Sequence, residues 1–269
     1  MAELQLTMLG TGNAAVTKCY NTCFAIEKGE ACFLTDAGGG NTILAQLERA
    51  GIELKNIHEM FVSHKHIDHI LGVIWVIRMI CQNMKKGKYQ GDLTIYAHDE
   101  VVWLLQDMCR NLLQKAQSEL IGERVHLITV ADGQKAEVLG REIQFFDIHS
   151  NKAKQFGFTL WLNDKEKLTF CGDEPYNEWE EDYARDSKWL LHEAFCLYEQ
   201  ADEFKPYEKH HSTAKDAAEL AQELGIKNLL LYHTEDKNLE HRKELYIAEA
   251  RRYFQGTVHV PDDLEKIIL

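Results

Sequence analysis

The sequence predicts an α/β (α+β) fold in which two sheets pack together and the helices lie outside them. Short apolar stretches with strand character alternate with a smaller number of helical stretches along the whole chain, and this alternation is found in both halves. The chain has 269 residues with only three prolines, and no linker or low-complexity stretch divides it. These observations favour a layered fold in a single domain over residues 1–269.

In the first half, glycine-rich turns at 10–13 and 38–41 separate the leading strands. Apolar stretches bounded by turn residues predict strands at residues 4–9, 22–27, 31–36, 58–63 and 93–97. Apolar spacing typical of helices predicts helices at residues 42–50, 70–84 and 99–120. Gly51 directly follows the first of these helices, as expected for a helix C-terminus.

The second half is richer in strands. Strands are predicted at residues 125–130, 136–139, 141–148, 156–162, 167–171, 189–194, 228–232, 257–260 and 265–269. A helix is predicted over 212–224, with Thr213 or Ser212 as its N-cap and Gly225 just past its end, and another over 239–254.

The charge and cysteine content of the chain limit the classes of function and the cellular compartment that we expect. The net charge is −13, so a general phosphate-binding field over the surface is not expected. Seven cysteines without zinc-ribbon spacing indicate a reduced protein, and the N-terminal residues lack signal-peptide architecture, so we expect a cytoplasmic protein. The most apolar run, residues 67–80, contains Asp68 and Arg78 and is too interrupted to cross a membrane.

The stretch VSHKHIDHILG, residues 62–72, holds His64, His66, Asp68 and His69. On an extended strand end, His64 and His66 point to the same side, and Asp68 and His69 follow where the chain bends toward a helix. Imidazole and carboxylate donors without thiolate suit Zn²⁺, Mn²⁺ or Fe. The spacing therefore predicts a metal site rather than a histidine-rich turn.

Further ligands are expected at the ends of other predicted strands. His149, Asp173 and His233 each follow an apolar stretch, where a rigid scaffold would hold a ligand. Each of them, taken alone, is as readily an ordinary polar residue, so these three positions remain open at this stage.

The chain resembles the metallo-β-lactamase superfamily, and within it the ribonuclease Z branch. HKHIDH matches the superfamily's H-x-H-x-D-H signature, and HHSTAKDAAELA is close to the branch's G-H-S-T-A-x-x-A-A helix start. Weaker likenesses run in order along the chain: LTMLGTGNA, LTDAGGGN, IHSNKAKQFGFTL, FCGDEPY, WLLHEAFC, LLLYHTED and VPDDLEKIIL.

The resemblance implies a four-layer αββα sandwich, the metallo-β-lactamase fold, holding two divalent metal ions, Zn²⁺ foremost with Mn²⁺ or Fe as alternatives. It assigns His64, His66 and His149 to one metal and Asp68, His69 and His233 to the other, with Asp173 bridging them. Asp36 would hydrogen-bond a ligand imidazole and fix its tautomer. The resemblance also implies a homodimer.

The chemistry that follows is hydrolysis. Two metals about 3.5–4 Å apart stabilise the attacking and leaving oxygens of an in-line displacement, which suits a phosphodiester. Asp68 is expected to be required for catalysis as well as for metal binding. The context of His211 is that of the family's catalytic histidine, and Glu193 on the preceding strand would orient it or relay a proton, so that the pair serves as general acid.

The substrate stays open between RNA and a small molecule. The interval from His149 to Asp173 has room for two strands and a turn but not for the long arm of tRNA-processing members, LGVIWVIRMI replaces a proline-containing segment, and Glu174 stands where the family has threonine. The leading prediction is a ribonuclease Z-like phosphodiesterase, with tRNA 3′-end cleavage as one form of it. The alternatives are a hydrolase of a small ester (a cyclic nucleotide, a sulfate ester or a lactone) and an inert relative of the fold.

Overall fold

The computed structural model describes residues 3–269. Its strands are β1 (Leu4–Gly10), β2 (Cys23–Lys28), β3 (Ala31–Thr35), β4 (Ile57–Val62), β5 (Leu93–Ala97), β6 (Val125–Thr129), β7 (Lys135–Val138), β8 (Arg141–Asp147), β9 (Phe156–Trp161), β10 (Lys167–Phe170), β11 (Trp189–Glu193), β12 (Asn228–Tyr232), β13 (Thr257–His259) and β14 (Lys266–Ile268). Its α-helices are α1 (Thr42–Ala50), α2 (Ile67–Lys85), α3 (Asp99–Leu112), α4 (Lys115–Ser118), α5 (Glu181–Ala184), α6 (Ala201–Phe204), α7 (Ala214–Glu223) and α8 (Arg242–Ala250).

The chain divides into two compact units, each built on one seven-stranded sheet. The first unit comprises the chain up to Gly10, Asn21–Ala131 and Leu264–Leu269, and the second comprises Thr11–Tyr20 and Asp132–Asp263. The expectation of a single domain stays a prediction.

The sheet of the first unit has the strand order β14-β1-β2-β3-β4-β5-β6. The pairs from β14 to β3 are antiparallel, and the pairs from β3 to β6 are parallel. Helices α1, α2 and α3 make the crossovers between the parallel strands, as parallel pairing requires. The carboxyl ends of β3 and β4 therefore lie side by side at one edge of this sheet.

The sheet of the second unit is likewise part antiparallel and part parallel, and its strand order is β13-β12-β11-β10-β9-β8-β7. Pairs from β7 to β10 are antiparallel, and pairs from β10 to β13 are parallel. Leu190, Leu229 and Leu231 of its parallel strands pack in one core with the small face of α7, which consists of Ala214, Ala217, Ala218 and Ala221. Thr213 caps α7 by accepting a hydrogen bond from the backbone N–H of Asp216.

Helix α2 is held close to the turn that follows β3. The backbone N–H of Gly72 donates to Gly38 O at 2.8 Å, and the N–H of Ala37 donates to His69 O at 3.1 Å. A Cβ atom on Gly72 would lie 1.7 Å from Ala37 O, so only glycine allows this approach. The start of α2 is thereby fixed against the end of β3.

Each of the fourteen predicted strands agrees with the structure to within one residue at each end, and strands 93–97 and 228–232 agree at both ends. The single helix predicted over 99–120 is wrong, because Leu113 and Gln114 are extended and divide it into α3 and α4. Helix α2 starts at Ile67, three residues before its predicted start, because His66 is the residue that bends the chain. The last predicted helix, 239–254, is shorter than expected, since α8 covers only Arg242–Ala250.

No helix among residues 3–269 combines the length and apolar character needed to span a bilayer. No disulfide bond joins any of the seven cysteines, all of which lie within the described residues.

Candidate metal centre

The first set of predicted ligands lies where β4 ends and α2 begins. His64 follows β4 by two positions, His66 is the extended N-cap residue of α2, and Asp68 and His69 occupy the first turn of that helix. His64, Asp68 and His69 are at most 5% exposed. The strand-to-helix corner thus buries three polar side chains that an apolar interior would reject without a ligand or strong partners.

These side chains converge. His64 Nε2 lies 2.8 Å from His66 Nδ1, and His69 Nε2 lies 3.4 Å from Asp68 Oδ2. The ring centroids of His64 and His69 are 4.2 Å apart. The four predicted ligands of the first unit therefore present nitrogen and oxygen donors to one small volume.

Asp36 holds this corner in place. It directly follows β3, has a left-handed backbone with φ 51°, and is 1% exposed. Its Oδ2 accepts hydrogen bonds from the Ser63 hydroxyl at 2.7 Å and from His69 Nδ1 at 2.8 Å, and its Oδ1 accepts from the Ser63 N–H at 2.8 Å. An imidazole that donates from Nδ1 carries its lone pair on Nε2, so Asp36 turns the acceptor nitrogen of His69 toward Asp68.

The second set lies at the carboxyl ends of the parallel strands of the second unit. Asp173 follows β10, Glu193 ends β11 and His233 follows β12. Neighbouring parallel strands end at the same edge of a sheet, so these side chains meet there. His233 Nε2 lies 3.4 Å from Asp173 Oδ2, and the backbone N–H of Asp173 donates to Gln155 Oε1 at 2.7 Å.

Glu193 and His211 form a buried pair beside His233. Glu193 is fully buried, accepts a hydrogen bond from the Ser212 N–H, and has Oε2 3.5 Å from His211 Nδ1. Ligand atoms of Glu193, His211 and His233 lie within 4.8 Å of one another, so these three side chains could also hold an ion. The ring of Phe195 stacks on His211 with centroids 4.9 Å apart.

Burial raises the pKa of Glu193 to about 7, although His192, His233 and the Ser212 N–H oppose that rise. A carboxyl group with a pKa near neutrality can both hold and release a proton under ordinary conditions. Glu193 is thus suited to exchange a proton with the adjacent His211 imidazole.

His149 is placed differently from the other predicted ligands of its unit. It follows β8 with a left-handed backbone, φ 52°, is exposed, and packs its ring against Trp179 with centroids 4.9 Å apart. Among the described residues of the second unit it does not join the cluster formed by Glu193, His211 and His233. Its role as a ligand stays a prediction.

The donor chemistry fits divalent metal ions. The predicted ligands offer only imidazole nitrogen and carboxylate oxygen, which suit Zn²⁺, Mn²⁺ or Fe and not a thiolate-bound ion. In the first unit, the tautomer of His69 fixed by Asp36 leaves Nε2 able to coordinate an ion.

Sequence reasoning missed two residues that support this centre. Ser63 bridges Asp36 and His64, since its hydroxyl also lies 2.9 Å from His64 Nδ1. Its position, a polar residue between an apolar strand and the first histidine, was the available signal. Gln155 supports Asp173 from a position just before β9, and nothing in its sequence context indicated that contact.

Comparison with known proteins shows which family the chain belongs to. A family model described as the anti-Pycsar protein Apyc1 matches residues 4–253. Ribonuclease Z of Methanothermobacter thermautotrophicus is 26% identical over 303 residues, which cover 97% of this chain and 95% of that protein.

Solved structures agree in fold. The metallo-β-lactamase fold protein YhfI of Bacillus subtilis has a TM-score of 0.80 at 17% identity, with 98% of this chain and 99% of that chain covered. The short form of human tRNase Z has a TM-score of 0.73 at 19% identity, with 98% of each chain covered. The predicted fold class is thereby confirmed.

The predicted resemblance to the ribonuclease Z-like branch is likewise confirmed, and the chain is a metal-dependent hydrolase. Because the Apyc1 model spans nearly the whole sequence, the chain, which has the metallo-β-lactamase fold, belongs to the Apyc1 family.

Proposed function

We propose that the chain is a phosphodiesterase that acts with two divalent metal ions, Zn²⁺ foremost, on a small phosphodiester such as a cyclic nucleotide. The residues that would hold the ions are those the family resemblance assigns: His64, His66 and His149 for one, Asp68, His69 and His233 for the other, and Asp173 for both. When bound, such a pair of ions polarises the phosphate and activates water for attack. The chain's own side chains would orient the substrate and supply the proton that the leaving group needs.

The observation that carries the proposal is the buried pair of Glu193 and His211 beside His233. Cleavage of a phosphodiester releases an alkoxide, which needs a proton as the bond breaks. His211 would donate that proton at the leaving oxygen. Glu193, held by the Ser212 N–H, would orient the imidazole and relay to it a proton that the attacking water gives up, so that His211 is protonated again before the next turnover.

Two observations favour a small substrate over tRNA. The interval between His149 and Asp173 forms an antiparallel hairpin of β9 and β10, with Lys167 opposite Trp161, so these residues build the sheet and do not extend as an arm. A net charge of −13 also disfavours the many phosphate contacts on which RNA affinity depends. The cytoplasmic location and the homodimer remain proposals that rest on composition and on resemblance.

A side-by-side assay tests the function. Purified protein with added Zn²⁺ or Mn²⁺ would be given bis(p-nitrophenyl) phosphate, cyclic nucleotides, precursor tRNA, an aryl sulfate and a lactone, with Asp68→Ala as the inactive control. We expect turnover of the phosphodiesters, with cyclic nucleotides ahead of precursor tRNA. Activity on the lactone or the sulfate alone would overturn the phosphodiesterase assignment, and preferred cleavage of precursor tRNA would overturn the small substrate.

Metal analysis provides a second test. Mass spectrometry of gently purified protein should find about two metal equivalents per chain. Far fewer than two, with no rise after incubation with Zn²⁺, would count against the dinuclear centre and favour an inert relative of the fold.

A further inference from the structure

Trp179 is a large aromatic side chain that the fold leaves in solvent. It lies in the short 3₁₀ turn Glu178–Glu180 of the second unit, is 62% exposed, and packs against the ring of His149 at an interplanar angle of 46°. An indole is largely apolar, so its transfer out of water is favourable. Trp179 nevertheless remains exposed, and it lies beside a residue that the resemblance assigns to the metal centre.

The turn that carries Trp179 is firmly anchored. The Asn177 side chain accepts a hydrogen bond from the Trp179 N–H at 3.0 Å and donates to Ile148 O at 2.5 Å. Glu180, the next residue after Trp179, is fully buried and accepts from the Asn177 N–H at 3.2 Å. The indole is thereby tied to the segment that ends in His149, and it is exposed without being loosely held.

Positive charge lies on the same segment. Lys152 follows His149 by three positions and donates from Nζ to His210 O at 3.2 Å, which brings its ammonium group next to the residue before His211. In a chain of net charge −13, a lysine between the predicted ligand His149 and the predicted acid His211 is suited to a phosphate oxygen.

We propose that Trp179 stacks on the nucleobase of a nucleotide phosphodiester whose phosphate lies on the side of His149, with Lys152 beside that phosphate. The inference rests on the proposed phosphodiesterase function and adds to it a residue, Trp179, that would select substrates carrying a nucleobase. A rigid exposed ring suits any base, because every base presents a flat aromatic face, and stacking of this kind is sequence-tolerant. A sugar separates base from phosphate in a nucleotide, so one platform beside the metal centre can hold the base while the phosphate reacts.

Two chromogenic substrates with the same leaving group isolate the base. Thymidine 5′-(p-nitrophenyl) phosphate carries a nucleobase, and methyl p-nitrophenyl phosphate does not. We expect the wild-type protein to favour the thymidine substrate in kcat/KM. Trp179→Ala should reduce that preference by about 5- to 100-fold, mainly through KM, and Trp179→Phe should retain most of it.

Trp161→Ala serves as the matched control. Trp161 lies in the same unit, is half-buried, and has the Lys135 ammonium 5.5 Å from its ring, so its loss should leave the preference unchanged. The zinc content of each variant is measured in parallel, because Trp179 also contacts His149.

An equal loss for both substrates in Trp179→Ala, with or without loss of zinc, would show that Trp179 only supports His149 and would overturn the inference. So would a wild-type protein with no preference for the thymidine substrate. Failure of the zinc-loaded wild type to hydrolyse either compound would instead reject the proposed function itself, and this inference with it.

Discussion

Replacing Asp36 by asparagine should weaken metal binding while leaving the fold intact. Asp36 Oδ2 accepts from both the Ser63 hydroxyl and His69 Nδ1, and Oδ1 accepts from the Ser63 N–H. An asparagine that keeps its oxygen toward the Ser63 N–H turns its NH₂ group toward His69. The imidazole must then accept at Nδ1 and carry its proton on Nε2, which is the wrong tautomer for a ligand.

The size of the effect follows from these contacts. A hydrogen bond to a buried charged group contributes about 1.5–3 kcal/mol, and loss of the partner that orients a ligand histidine typically weakens metal binding by about 10- to 100-fold. The left-handed backbone of Asp36 does not confuse the comparison, because asparagine tolerates that conformation as well as aspartate does.

Zinc affinity would be measured by competition with a chromogenic chelator, and folding by circular dichroism. Asp92→Asn is the control, since Asp92 also pairs with a histidine, His126 at 2.9 Å, but is exposed. We expect Asp92→Asn to bind zinc like the wild type. If Asp36→Asn also binds zinc as tightly as the wild type, Asp36 does not set the tautomer of His69.

Three further predictions concern the site and its support. Asp68→Ala should remove activity with little loss of fold, whereas His211→Ala should keep its metal and turn over about 10²- to 10⁴-fold more slowly; equal metal loss in both would contradict the role of His211. Burial raises the pKa of Glu180 to about 8, whereas the carboxyl of the unfolded chain ionises near 4.5. The native state thus binds the extra proton, so Glu180 should lower the free energy of unfolding by up to about 1.4 kcal/mol per pH unit as the pH rises between those values. Glu193, whose pKa is raised to about 7, adds a slope of the same sign, so Glu180→Gln should make the slope shallower in urea titrations at pH 5, 6.5 and 8 without abolishing it. Gly72→Ala should lower the free energy of unfolding by about 1–3 kcal/mol, because its Cβ would overlap Ala37 O, while Gly40→Ala, where nothing lies within 4 Å, should change it little.

The elements that sequence reasoning located best are those whose signal is local. Strand 228–232 is an apolar run that is almost wholly buried between parallel neighbours, and strand 93–97 alternates buried Leu93, Ile95 and Ala97 with half-buried Thr94 and Tyr96. The same logic led to the predicted ligands, because a histidine or aspartate directly after such a strand must lie at the carboxyl edge of the sheet.

The features that could not be foreseen depend on tertiary contacts. The break between α3 and α4 falls at Leu113 and Gln114, neither of which is a helix breaker. Gln117, whose side chain caps α4, is buried by tertiary packing that the local sequence does not reveal. Nothing in the sequence distinguishes Trp179 from any other tryptophan near a turn. Its exposure and its contact with His149 follow from how the turn after β10 is anchored to the end of β8.

Backbone conformation is the part of the site that residue types conceal most completely. Asp36, His149 and His233 each follow a strand and each adopt positive φ, between 51° and 58°. A non-glycine residue in this region costs on the order of 1–3 kcal/mol, and such strain collects at functional sites when the surrounding structure determines it. A left-handed residue turns the chain sharply at the sheet edge and sends its side chain away from the direction that the strand would have given it. Glycine would make the same turn without strain, but it would supply neither the carboxylate of Asp36, which holds His69, nor the imidazoles of His149 and His233, which are predicted ligands. The strained backbone is thus found where the side chain has a proposed role.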